Sequence, residues 1–296
     1  MTSPLFICGP TASGKSSVAL TLAKELNGEI VNADAFQLYR GLETITAAPT
    51  QEEQEDIPHH LYSVADPSES HDAASYLKLA QPVIADIHSR GRLPIVVGGS
   101  GLYLKFLTHG PSPLPSADAA LRQKLEGTPL PELFAQLQEL DPEGAAKVDQ
   151  KNPRYVQRAL EICLLTGKPA SELRASFRHR DESALKGIVL HWERPQLHER
   201  IALRTEQMLA GGAIEEVAQL TDISPTTAKA IGIREIQQHL AGEITREQCA
   251  ELITIATRQY AKRQLTWFRR EKWLQQLSGN LTQHDLIKAL KIMLLR

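Results

Sequence analysis

The chain has 296 residues, 42% hydrophobic and 23% charged, with a formal net charge of -2. That is enough apolar material for one large domain, or a domain carrying an insertion, and the near-neutral balance argues against nucleic-acid binding by gross charge alone. No biased tract suggests disorder, the longest apolar runs fall far short of the ~18 residues a membrane helix needs, and Met1 to Ser3 leave no room for a signal peptide, so a cytoplasmic protein is expected.

The first element is "LFICGPTASGKSSVAL", residues 5–20. An apolar strand, Leu5 to Cys8, runs into a turn of Gly9, Pro10, Thr11, Ala12, Ser13 and Gly14, and Lys15 and Ser16 then open a helix striped with Val18, Leu20 and Leu22. Gly9-x4-Gly14-Lys15-Ser16 is the P-loop spacing. Backbone N–H groups at a helix N-terminus form an anion nest, Lys15 adds a point charge, and the Ser16 hydroxyl can ligate Mg²⁺. The pattern specifies a polyphosphate without saying which one. Cys8, Cys163 and Cys249 are odd in number, far apart and in apolar contexts, which predicts buried thiols in a reducing compartment.

A second strand is predicted at "GEIVNAD", residues 28–34, ending on Asp34. Residues 41–75 then hold eight acidic residues and no Lys or Arg. A helix follows from 73 to its stop at Gly91, then the apolar strand "RLPIVV", a turn at Gly98 to Gly101, and another helix. Strands that are apolar throughout and alternate with helices predict an α/β fold, a parallel sheet covered on both faces like that of the P-loop NTPases.

Pro111, Pro113 and Pro115 break this rhythm. The pattern from 116 to 180 is helical, with a stop at Gly167 and Pro169, and "GIVLHWE", residues 187–193, looks like a return to the sheet. The expected organisation is therefore a core of 1–114 and 187–296 interrupted by a helical insertion of 115–186. Helices are expected at 196–211, 224–241 and 246–271. The last runs into "RQYAKRQLTWFRREK", residues 258–272, with six basic residues, one acid and three aromatics, readable as a solvated amphipathic helix or as a phosphate-backbone track.

A nucleotide hydrolase would end a central strand on a carboxylate for Mg²⁺, but "LPIVVGGSG" ends on glycines and Ser100. Asp34 alone ends a strand early enough to stand beside the P-loop. Its position leaves two roles open: indirect Mg²⁺ ligand, or proton acceptor on a second substrate.

Seven segments, "GPTASGKS", "NADAFQLYRGL", "IPHHLYSVADPSES", "LPIVVGGSGLYLKFLTHG", "RALEICLLTGKP", "AIGIREI" and "TRQYAKRQLTWFRRE", stand in the order and close to the wording of the tRNA dimethylallyltransferases, or tRNA isopentenyltransferases. The resemblance spans residues 5–271. It implies that the P-loop holds the diphosphate of dimethylallyl diphosphate, with Mg²⁺ held through Ser16, and that the five-carbon group passes to N6 of the adenosine at tRNA position 37. By the same resemblance Asp34 takes the amine proton and Arg204 contacts the diphosphate, with Arg200 one turn away as a helper. Ala35, Phe36, Gln37 and Ser100 would meet the flipped base and its neighbours. Arg122, Arg154, Arg158, Lys229 and Arg234 match tRNA-facing positions on the anticodon stem-loop side, and the chain is expected to act as a monomer with no membrane partner.

Ala35, Ile45, Ala48 and Ile233 depart from the family wording, which bears on loop geometry and tRNA contact. His59 and His60 are expected to be structural. Rival readings are an isopentenyltransferase of free adenine nucleotides, a small-molecule kinase that consumes ATP, and a non-catalytic RNA-binding switch.

Overall fold

Six short strands line up in parallel in the order β3-β2-β4-β1-β5-β6 in the computed structural model, which describes residues 3–111, 114–116, 118–176 and 182–294. In chain order the elements begin with β1 (Leu5–Cys8), α1 (Lys15–Leu26), β2 (Gly28–Asn32), α2 (Glu43–Thr46), α3 (Gln51–Asp56), β3 (His59–His60), α4 (Ala73–Ser89), β4 (Leu93–Gly98) and α5 (Gly101–His109). Then come α6 (Ala119–Glu126), α7 (Leu130–Leu140), α8 (Pro142–Lys147), α9 (Pro153–Thr166) and α10 (Ala170–Ser176). The chain returns through β5 (Lys186–His191), α11 (Arg194–Ala210), α12 (Ala213–Ala218), α13 (Ile233–Leu240), α14 (Arg246–Phe268), β6 (Leu274–Ser278) and α15 (Gln283–Leu294).

Contacts divide the chain into one unit of Met1–Thr108 with Glu182–Arg296 and a second of His109–Asp181. In the first, β1 lies between β4 and β5 and is wholly buried, which is why "LFIC" can be apolar on both faces. One face packs Leu5, Ile7, Ile95 and Ile188 against Val18 and Leu22 of α1 and Leu286 and Leu290 of α15. On the other face the Trp273 ring meets Phe6 edge-on at 5.2 Å.

The second unit packs α6 to α10 around Leu125, Leu133, Leu137, Val156 and Leu160. Buried Glu161, 1% exposed, accepts from the Asp118 amide at 2.9 Å, from Arg122 Nε at 3.1 Å and from Arg158 at 2.6 Å. Asp141 accepts from the amides of Gly144 and Ser171, both at 2.8 Å. These buried carboxylates tie the helices together where apolar contact alone would let them slide.

The structure differs from the sequence expectation in four places. Strand β2 stops at Asn32, so Asp34 lies past the strand end: the Asn32 side chain takes the Asp34 amide at 2.7 Å and leaves it unavailable to the ladder. The helix expected at 224–241 is a short 3-10 turn, Thr227–Lys229, followed by α13, because Gly232 turns the chain at φ +104°. The acidic stretch contains α2, α3 and β3, and β6 and α15 follow the basic stretch, where only helices up to 271 were expected. Pro113, one of the expected chain-breakers, lies outside the described residues.

Cys8, Cys163 and Cys249 are free and buried. Among the described residues no helix is long and apolar enough to cross a membrane. His59 and His60 form edge strand β3, where a His60 ring nitrogen lies 2.7 Å from Glu29, a structural placement.

Candidate active site

The turn between β1 and α1 is held open from outside. Gly14, at φ +89°, caps α1 in a left-handed conformation, and Ala12 adopts φ 62°, which costs a residue with a Cβ about 1–2 kcal/mol. Distant side chains compensate. Arg200 donates Nε to the Ala12 carbonyl at 2.8 Å, Trp192 donates Nε1 to the Ser13 carbonyl at 2.9 Å, and the guanidinium stacks 4.2 Å from the Trp192 ring centroid. From α14, Gln264 accepts from the Thr11 amide at 2.9 Å and donates to the Gly99 carbonyl at 3.1 Å.

These bonds decide which amides can meet an anion. The Thr11 amide is engaged by Gln264 and the Ser13 amide by the Pro10 carbonyl. The donors left to meet an anion are the first N–H groups of α1, which have no partner within the helix and carry its positive end. Ser13 adds a buried hydroxyl that makes no hydrogen bond within the protein and so can donate to a ligand oxygen.

Lys15 donates Nζ to the Pro10 carbonyl at 2.8 Å. Burial lowers its pKa to about 8, opposed by the Asp34 carboxylate and reinforced by Arg204. Arg204 is also lowered by burial, again with Asp34 opposing, and its NH2 donates to the Thr46 carbonyl at 2.7 Å. Asp34 is positioned by Asn32, which is fully buried, and accepts the Phe36 amide on Oδ1 at 3.1 Å. The Asn32 carbonyl in turn accepts the Tyr76 hydroxyl at 2.7 Å.

Two cavities meet here. The larger, about 430 Å³, is lined by Thr11 to Ser16, Asp34, Gln37, Ala48, Glu53, Arg200, Leu203, Arg204 and Gln207, among others. The smaller, about 60 Å³, is lined by Phe36, Ile45, Ile201, Met208, Ala230, Ile231 and Tyr260, with Thr11, Asp34 and Arg204 shared with the first. Three cations against two carboxylates in the larger cavity suit a polyanion.

Of the residues the sequence singled out, Thr11, Ala12, Ser13, Gly14, Lys15, Ser16, Asp34, Gln37 and Arg204 line the larger cavity and Phe36 the smaller. Gly9 and Pro10 line neither cavity; Pro10 contributes through its carbonyl, which accepts from Lys15. Ala35 donates its amide to Ser100 Oγ at 2.9 Å, so Ser100 pins the backbone next to Asp34. Gln37 spends its Nε2 on the carbonyls of Thr46 and Ala47 at 3.1 and 2.9 Å. Arg122, Arg154, Arg158, Lys229 and Arg234 line neither cavity. Arg122 and Arg158 are tied to Glu161 and Arg234 pairs with Glu235, while Arg154 and Lys229 are exposed. Sequence reading missed Gln264, Trp192 and Asn32. Gln264 gave a usable signal: it falls on the same helix face as buried Ala261 and Phe268, where a glutamine needs partners.

The sequence model of IPP transferase matches residues 37–271. The chain belongs to the IPP transferase family. A second model, isopentenyl transferase, matches residues 4–65 and so covers the loop and Asp34. Among IPP transferase relatives, a tRNA dimethylallyltransferase of Akkermansia muciniphila is 44% identical over 289 residues, 98% of each chain. A solved tRNA isopentenylpyrophosphate transferase of Bacillus halodurans superposes with TM-score 0.72 at 36% identity, covering 99% of this chain and 95% of that one. A eukaryotic dimethylallyltransferase solved acting on tRNA gives TM-score 0.79 at 30% identity, covering 99% and 78%.

Proposed function

We propose that this chain transfers the dimethylallyl group of dimethylallyl diphosphate to the exocyclic N6 of adenosine 37, beside the anticodon of a tRNA, and releases diphosphate. One observation carries the reading: Asp34, Thr11 and Arg204 line both cavities, so a carboxylate stands between a phosphate cradle and a second, smaller compartment.

The start of α1, the Ser13 hydroxyl and Lys15 bind the diphosphate, and Arg204 meets it from α11. As the allylic C1–O bond breaks, the electron pair leaves with the diphosphate, and these fixed positive groups stabilise the growing charge. N6 of adenine attacks C1. Its proton becomes acidic only as the C–N bond forms, and Asp34 accepts it in that step. Asn32 and Ser100, through the Asp34 and Ala35 amides, keep the carboxylate in place.

The donor set fits Mg²⁺: Ser16 and Asp34 offer hard oxygens to one cavity, and Mg²⁺ characteristically takes one or two protein oxygens with phosphate oxygens and water. Ser16 would hold the ion, whose charge would help neutralise the departing diphosphate. The target base must leave its stack to reach Asp34; in this reading Arg122, Arg154, Arg158, Lys229 and Arg234 engage the anticodon stem-loop, in the cytoplasm.

Purified protein incubated with labelled dimethylallyl diphosphate and unmodified tRNA should yield N6-dimethylallyl adenosine on nucleoside digestion. Hydrolysis of ATP with no labelled nucleoside would overturn the proposal in favour of a kinase-like enzyme; labelling of free AMP but not tRNA would favour a free-nucleotide enzyme.

A further inference from the structure

We infer that Glu216 is a positioning residue for the proposed reaction, aiming Arg204 at the diphosphate by capping the one turn of α2 that anchors it. The inference rests on that reaction and adds to it a residue that lines neither cavity.

Helix α2 has four residues. A helix that short does not hold its own shape, because forming one turn fixes several residues for a single hydrogen bond. Its first N–H groups have no partner within the turn, and Leu42, the residue ahead of it, offers no side-chain cap. The cap comes from a distant part of the chain. Glu216, on α12, accepts the Thr44 amide on one carboxylate oxygen at 2.7 Å and the Ile45 amide on the other at 2.8 Å, across 172 and 171 positions of sequence. Bonds to a carboxylate are of the stronger, charge-assisted kind, and the negative charge lies at the positive end of the turn.

The carbonyls at the other end of α2 are taken up by residues of the site. The Thr46 carbonyl accepts from Arg204 at 2.7 Å and from Gln37 at 3.1 Å, and the Ala47 carbonyl accepts from Gln37 at 2.9 Å. Arg204 and Glu216 thus grip the two poles of one turn, guanidinium on carbonyl and carboxylate on amides, each opposite in sign to the pole it meets. They stand on consecutive helices, α11 and α12. A guanidinium carries five donors in a fixed plane, so the one given to Thr46 sets the direction of those that can meet phosphate oxygens. The chain leaving α2 continues as Ala47, Ala48 and Pro49, a wall of the larger cavity. Without Glu216 the Thr44 and Ile45 amides lose their acceptor, the turn loosens, and the carbonyl that aims Arg204 moves with it. Displacing a group at a reacting centre by about 1 Å can cost a factor of about 10².

The test is a double-mutant cycle read by equilibrium binding of inorganic diphosphate in the presence of Mg²⁺, with transfer from dimethylallyl diphosphate to tRNA measured alongside. Glu216→Ala should weaken diphosphate binding about tenfold, the scale of one charge-assisted contact put out of place, and should raise the KM for dimethylallyl diphosphate with it. Glu216→Gln keeps one acceptor oxygen and should weaken binding about fourfold; it carries the cycle if the alanine variant does not fold. In an Arg204→Ala background the same substitutions should change binding by less than about twofold, because the group that Glu216 aims is gone, whereas effects independent of Arg204 would appear in full in either background. Equal factors in the two backgrounds, or binding within about twofold of the unmodified enzyme in the folded Glu216 variants, would overturn the inference while leaving the proposed reaction standing. Absence of dimethylallyl product from the unmodified enzyme would overturn both.

Discussion

Gln264 accepts the amide proton of Thr11 at 2.9 Å across 253 positions of sequence. The same carboxamide holds the Gly99 carbonyl, so one side chain of α14 clamps the phosphate loop to the end of β4. Gln264→Ala should leave a donor and an acceptor without partners, costing about 1–3 kcal/mol, and should raise the KM for dimethylallyl diphosphate about tenfold with a smaller change in kcat. Thermal unfolding and steady-state kinetics together check this; a loss of stability with unchanged KM would confine Gln264 to a role in folding.

Asp34→Ala should lower kcat by about 10²–10⁴, the range for a lost general base, with tRNA affinity altered by less than about threefold, since phosphate contacts dominate that affinity. Filter binding and single-turnover assays separate the two effects. Near-normal turnover would remove Asp34 from the proton transfer.

Lys15 gives a prediction in pH. Its native pKa of about 8 lies below the ordinary 10.5, so the free enzyme loses this charge as pH rises through about 8, and kcat/KM for the diphosphate donor should fall there. Lys15→Arg should flatten that limb, because arginine stays charged. The stability sign is opposite: between about 8 and 10.5 the unfolded chain binds more protons than the native one, so stability rises with pH across that window. Below it the cost of holding a buried charge is present in full. Lys15→Met should be stabilised relative to the parent below pH 8, as chemical denaturation would show.

Glu29 behaves in the other direction. Fully buried on β2, it is paired with Arg90, with Arg92 at 2.8 Å and with His60 at 2.7 Å. Hydrogen bonding from Arg90, with help from His60 and Arg92 and against the effect of burial, lowers its pKa from 4.5 to about 2. Its contribution is complete above pH 4.5 and is lost as pH falls towards 2. Glu29→Gln should cost about 2 kcal/mol at neutral pH and should flatten the acid limb of the stability curve.

The phosphate loop was legible in the sequence because its chemistry is local: Gly14, Lys15 and Ser16 must be neighbours to start a helix around an anion. The parallel sheet was legible because "LFIC" and "LPIVV" are apolar at every position. Other features were hidden for physical reasons. Strand β6, "LQQLS", buries only two of its five residues, so it carries neither the continuous run of a central strand nor a clean alternation. The pairing of Arg122 and Arg158 with Glu161 was hidden because the partners lie in different helices or three residues apart and only the folded chain shows which carboxylate they share. Gln264 could be read as buried from its helix face, but its partners Thr11 and Gly99 could not, because both are remote in sequence.

The position of β1 also sets an order of events during synthesis. The first strand made sits between β4 and β5, and the first loop made is clamped by α14. A nascent chain therefore carries an unfinished cradle through most of translation, and the long-range closures it awaits are slow ones. Donor-binding capacity should arise only after residues 246–268 have left the ribosome, so truncated chains ending before that helix would be made without ever acquiring it.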